Sequence, residues 1–141
     1  MSSRAQPLQP AVDQARQRSE DALAHMASHQ QRLAKAEHQL AELHRYRLEY
    51  ASGGAGSLSV TALLNRQIFV DRIDQAISQQ AAEISRLQRQ FDQVRARWVQ
   101  AHARESALGS VVDRYLEQER QAEDRYEQAE MDERAQYRRT R

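Results

Sequence analysis

The sequence predicts an all-α protein, a long antiparallel two-helix coiled-coil hairpin with an overhanging C-terminal helix. Three observations predict it. Helix breakers are few, with four glycines and two prolines in 141 residues, and three of the glycines fall together in Gly53-Gly54-Ala55-Gly56. A composition rich in Ala, Glu, Gln and Arg, with only 6% aromatic residues, suits long helices that bury a narrow seam rather than a thick core. On both sides of the glycine cluster, apolar residues recur every seven positions, which keeps one stripe of each helix facing one partner.

The elements follow in chain order. Residues 1–10 are polar, carry Pro7 and Pro10, and read as a disordered lead-in. The rest, 11–141, reads as one coiled-coil hairpin: a helix over 11–50, a glycine-rich loop over 51–58 and a helix over 59–137. Ser57 or Ser59 is placed to cap the second helix by accepting from a free backbone N–H. Gly109 is the one helix-weakening residue beyond the loop and a candidate bend.

In the first helix, heptad position a holds Val12, Ser19, Met26, Leu33, Leu40 and Arg47, and d holds Ala15, Ala22, His29, Ala36, Leu43 and Tyr50. In the second, a runs through Leu63, Val70, Ile77, Ile84, Phe91, Trp98, Glu105, Val112, Glu119 and Tyr126, and d through Ile73, Gln80, Leu87, Val94, Ala101, Leu108, Tyr115, Ala122 and Ala129. A short loop makes the helices antiparallel neighbours, so a faces d. The preferred register sets Leu43 against Val70, Leu40 against Ile73, Ala36 against Ile77, Met26 against Leu87, Ala22 against Phe91 and Ala15 against Trp98. It matches bulky residues with small ones, but leaves Leu33 opposite Gln80 and Arg47 near Arg66. At 1.5 Å per residue the helices run roughly 60 and 115 Å. The second would then overhang beyond about Ala101, carrying Leu108, Val111, Val112, Tyr115, Leu116, Tyr126 and Met131 as a docking surface.

Composition also excludes function classes. The formal net charge is +1, so no overall field selects nucleic acid. The absence of cysteine removes disulfides, thiolate metal sites and a cysteine nucleophile. No apolar run approaches the roughly 20 residues of a membrane span, and Met1 to Pro10 does not read as a secretory signal. His25 and His29 lie one turn apart but lack a third ligand. The glycine cluster lacks the Gly-Lys-Ser/Thr ending of a phosphate loop. Carboxylates interleave with arginines along solvated faces, as in Arg120–Asp124 and Glu130–Arg134, without a catalytic pair. No catalytic residue, cofactor or metal is expected.

One pattern resists that bland account. Tyr46 and Phe69 fall at position g, where charges are usual. With Leu43, Tyr50, Ile73 and Gln80 beside them at d, and Gln39 and Ala76 as the next g pair, they form an apolar ridge near the loop that reads as a binding site.

These residues resemble the flagellar export protein FliJ family. The resemblance is carried by Ala36-Glu37-His38-Gln39-Leu40-Ala41-Glu42-Leu43, then Tyr46-Arg47-Leu48-Glu49-Tyr50, then Phe69-Val70-Asp71-Arg72-Ile73-Asp74-Gln75-Ala76-Ile77. Trp98 and Met131-Asp132-Glu133-Arg134-Ala135-Gln136 extend it, so that it covers most of residues 12–136. It implies a non-enzymatic stalk and escort component of the bacterial flagellar type III export apparatus. Such a component is cytoplasmic and meets the cytoplasmic face of the inner membrane through that apparatus. The implied partners are the hexameric export ATPase, the cytoplasmic domain of the export gate protein and export chaperones. The implied gate-binding surface is Gln39, Leu43, Tyr46, Tyr50, Phe69, Ile73, Ala76 and Gln80. The implied ATPase-ring surface is Tyr115, Tyr126, Met131, Asp132 and Glu133. Neither nucleic acid nor direct membrane insertion is implied, and the free protein is expected to be a monomer. The rival readings are the coiled-coil stalk of a virulence type III secretion system and a homo-oligomeric coiled-coil scaffold.

Overall fold

The computed structural model describes residues 3–52 and 59–140, and the protein is all-α. A short 3-10 turn, Gln6–Leu8, leads into α1, Gln9–Ser52; α2 spans Val60–Arg139. The two helices pack antiparallel as a hairpin. Most of the predicted glycine-rich loop, residues 53–58, lies outside the described residues, as does Ser57.

The helix ends follow from local chemistry. Pro7 sits in the first turn of the 3-10 segment, and Pro10 is the second residue of α1. Proline is accepted there because those backbone N–H groups have no helical partner to lose. Ser52 Oγ donates back to the Leu48 carbonyl at 2.6 Å, one turn earlier in the last stretch of α1. Ser59 caps α2: its hydroxyl accepts from the Ala62 N–H at 3.1 Å and its carbonyl from the Leu63 N–H at 3.0 Å. Arg138 and Arg139 occupy the last turn of α2, where the helix dipole favours cations. Gly109, expected as a bend, is crossed by α2 without interruption.

The chain forms two units, one built from Ala22–Trp98 and the other from Met1–Asp21 with Val99–Arg141. In the first, Ala36, Ile84 and Leu87 form a buried cluster, with Leu33 and Leu40 packed against it. Val70, Ile73 and Val94 are buried along the same face of α2. Gln80 Nε2 donates to the Ala36 carbonyl at 3.0 Å and to Gln39 Oε1 at 3.2 Å.

These contacts correct the expected register by one heptad. Ala36 packs against Ile84 instead of Ile77, and Leu87 joins Ala36 and Leu33 instead of Met26. The cause lies in the polar residues of the seam. In the expected register Arg47 approaches Arg66, and Gln80 faces Leu33 with nothing to bond. One heptad further on, Arg47 meets Asp74, Gln80 reaches the Ala36 carbonyl and the Gln39 side chain, and Leu33 packs against the Leu87 cluster. Pairing these half-buried polar groups outweighs a modest gain in shape matching.

In the second unit, Ala15 (3% exposed), Ser19 and Ala5 are buried on the first segment. On α2, Ala101, Glu105, Leu108, Val111, Val112, Tyr115 and Glu119 are half-buried at heptad-like spacing. The Glu119 carboxylate accepts from the Ser3 hydroxyl at 3.0 Å and from the Arg4 backbone N–H at 2.7 Å. Residues 3–10, expected as a disordered lead-in, instead hold the 3-10 turn and the first residues of α1, with Ser3 and Arg4 bound to Glu119. The expected overhang is corrected on the same grounds. It is no separate helix and does not begin near Ala101. Leu108, Val111, Val112 and Tyr115 are half-buried, Leu116 stays exposed, and the stretch in which every residue is exposed is 120–139, the last turns of α2.

Candidate functional site

The ridge expected from the heptad pattern is present in the Ala22–Trp98 unit. Tyr46, Tyr50 and Phe69 remain 45%, 43% and 47% exposed, large values for rings within a coiled coil. The last turn of α1 supplies Tyr50 and the third turn of α2 supplies Phe69. Their rings stack with centroids 4.9 Å apart and planes 24° from parallel. Such offset stacking orders two rings without burying them. The Arg45 guanidinium lies 5.8 Å from the centre of the Tyr46 ring, within cation–π range.

The other predicted ridge residues support these rings or extend the surface. Ile73 is buried (8% exposed) and is a seam residue, not a surface contact. Leu43 and Ala76 are half-buried. Gln39 is exposed, and Gln80 is half-buried and tied to it. Arg47, beside the ridge, donates to Asp74; the hydrogen bond first, and the opposite charge second, hold the guanidinium above its ordinary pKa. A shallow groove of about 440 Å³, lined by Glu49, Tyr50, Asn65, Arg66 and Phe69, runs beside the stacked pair. Heptad reasoning missed that groove and the Arg47–Asp74 pair, because both depend on the register.

The second predicted set lies in the other unit. Tyr126 and Met131 are 61% and 63% exposed, and Asp132 and Glu133 are exposed beside them. Gln128 donates to Asp132 at 3.2 Å. Tyr115 differs, being half-buried among the residues covered by the start of the chain. Arg120 bridges Glu117 and Asp124 on the exposed surface, the latter at 3.4 Å. His25 is exposed and His29 half-buried. Among the described residues no three His, Asp or Glu side chains gather as a metal would require. No helix of the described chain is long and apolar enough to cross a membrane.

The model of the flagellar FliJ protein family matches residues 4–141. The chain belongs to the flagellar FliJ protein family. This FliJ-family chain is therefore a non-enzymatic component of the flagellar type III export apparatus. Its partners belong to that apparatus. No curated protein and no solved structure matches the chain.

Proposed function

We propose that this FliJ-family chain is a coupling and escort subunit. It links the export ATPase ring to the export gate and helps hand over chaperone-bound cargo in the cytoplasm, at the inner face of the membrane. The observation that carries this reading is the stacked, half-exposed Tyr50–Phe69 pair with Tyr46 beside it. Aromatic rings that stay in water beside a well-packed seam are suited to burial against a partner. Gln39 and Gln80 add polar anchors next to them. In this reading the ridge takes the gate domain, with Leu43 and Ala76 at its edge and Ile73 fixing its base. Tyr126, Met131, Asp132 and Glu133 take the ATPase ring, and Tyr115 joins them if the start of the chain lifts away.

The test is the affinity of purified full-length protein for the gate cytoplasmic domain and for the export ATPase. The double variant Tyr46→Ser/Phe69→Ser should lose at least about tenfold in gate affinity, a decade being roughly 1.4 kcal/mol. ATPase affinity and helix content should persist. Equal loss of both affinities, or no loss of gate affinity, would sink the assignment.

A further inference from the structure

The flank that carries the aromatic ridge continues beyond it, away from the loop. Gln80 Nε2 donates to Gln39 Oε1 at 3.2 Å where the ridge ends, and the same two residues open a second groove of about 410 Å³ across the helices. Arg32, Lys35 and Gln39 line it from α1; Gln80, Glu83 and Arg86 line it from α2. Arg32, Gln39 and Tyr46 are successive g residues of α1, so groove and ridge form one track along a single edge of the coil. The track is aromatic at one end and charged at the other.

The charged end is cationic, with Arg32, Lys35 and Arg86 against Glu83 alone. Arg86 is committed, since its Nε donates to Glu83 at 2.9 Å along the same helix. Arg32 and Lys35 are exposed and make no hydrogen bond or ion pair among the described residues. In an antiparallel coil the g edges of the two helices lie side by side, and opposite charges ordinarily pair there. Across the groove from Arg32 the g residue of α2 is Gln90, which is neutral. The two cations therefore take no part in holding the seam. The outer side of α2 has the opposite sign, with Asp71 and Asp74 beside Gln75 and Ser78, and of these carboxylates only Asp74 is met by a cation. An acidic group approaching the unit is thus drawn to the groove and repelled from the other side of α2.

Resting on the reading that the ridge takes the gate domain, we infer that the groove takes an acidic, extended segment of that same domain, lying along the flank from the ridge to Arg32. The planar guanidinium of Arg32 suits a carboxylate held by two hydrogen bonds, and Lys35 adds a point charge beside it. Gln39 lies between the two ends. Its oxygen is held by Gln80, which leaves its NH2 to donate to a backbone carbonyl of the segment. By helical rise Lys35 and Arg32 stand about 16 Å and about 21 Å from Tyr46 along the helix. An extended chain covers about 3.3 Å per residue, so the carboxylates stand about five or six residues from the apolar group seated on the ridge. The ridge supplies most of the affinity, and the groove fixes the direction in which the segment runs.

The experiment measures the affinity of the full-length protein for the gate cytoplasmic domain at low and at raised salt. Arg32→Gln/Lys35→Gln should lose about fivefold or more at low salt, and the loss should shrink as salt rises. Lys35→Arg keeps the charge and should keep the affinity. Both positions are exposed and unpaired, so melting followed by circular dichroism and affinity for the export ATPase should not change. Lys35 is the only lysine of the chain, so carbodiimide coupling should join its amine to a carboxylate in an acidic segment of the gate domain. Unchanged gate affinity in Arg32→Gln/Lys35→Gln, while Tyr46→Ser/Phe69→Ser still loses about tenfold, would overturn the groove and leave the ridge standing. Unchanged gate affinity in both variants would overturn the two together. A gate complex that forms without any cross-link at Lys35, or a loss of ATPase affinity in place of gate affinity, would also overturn the groove.

Discussion

Arg47 and Asp74, 27 residues apart in the chain, meet across the seam as a hydrogen-bonded ion pair, and their meeting marks which heptads of α1 and α2 are level. Reversing one charge, as in Asp74→Arg, should lower the melting temperature. The swap Arg47→Asp/Asp74→Arg should recover most of the loss. Both side chains are close to half-exposed, so the effect should be small and should shrink in high salt. A swap no more stable than the single reversal would show that the pair contributes nothing to alignment.

The register has a covalent test, helped by the absence of native cysteine. Oxidation of Ala36→Cys/Ile84→Cys should give an intramolecular disulfide, since these residues share one buried cluster. Ala36→Cys/Ile77→Cys should not. Preferential closure of the second pair would restore the register expected from size matching.

Leu87 is 7% exposed at the centre of that cluster. Leu87→Ala should cost about 2–5 kcal/mol, through lost burial and the void left behind. Urea unfolding followed by circular dichroism measures it. A cost near zero would mean the cluster collapses around the gap or is not the core.

Gly109 offers a change in the opposite direction. It lies inside α2, and an added Cβ would meet nothing within 4 Å. Gly109→Ala should therefore stabilise by about 0.5–1 kcal/mol, from helix propensity alone. Destabilisation would reveal a neighbour that needs the glycine.

The carboxylate of Glu119 holds the first described residues of the chain. Glu119→Ala should speed amide exchange at Ala5–Leu8 and along Leu108–Tyr115, with little change around Ile84. In the wild type, 101–119 should be protected and 121–139 should exchange quickly. Uniform fast exchange from Ala101 onward would show that the start of the chain does not cover α2.

Acid provides a further check. Glu83 and Glu117 are held below their ordinary pKa, chiefly by hydrogen bonds from Arg86 and Arg120. A group depressed in the folded state contributes stability above its unfolded pKa and loses it as pH falls through the folded value. The difference in helix content between wild type and Glu83→Gln/Glu117→Gln should therefore narrow below the ordinary glutamate value of 4.5. A difference that persists unchanged into strong acid would count against these pairs.

The hairpin was legible because Leu33 and Leu40 on one side, and Val70, Ile77 and Ile84 on the other, repeat by sevens, and because Ser59 follows a cluster of glycines. The aromatic flank was legible because Tyr46 and Phe69 stand where charges usually do. The register was not, since both alignments keep a against d and differ only in which polar residues meet. The size match of Ala15 with Trp98 pointed one way; Arg47, Gln80 and Glu119 decide the other. Glu119 was the least readable of the three. Its partners are a hydroxyl and a backbone N–H in a polar segment that no periodicity marks.

The buried face of α1 is made of small residues, Ala15, Ser19 and Ala36, while α2 supplies Val70, Ile73, Ile84, Leu87 and Val94. The two helices therefore tolerate opposite kinds of change. Enlarging one of these small side chains on α1 overpacks the seam. Shrinking one on α2 leaves a hole bordered on α1 by the alanines and by the half-buried Leu33 and Leu40. Sequence drift in the seam is thus confined in different directions on the two helices: α1 can hardly grow, and α2 can hardly lose.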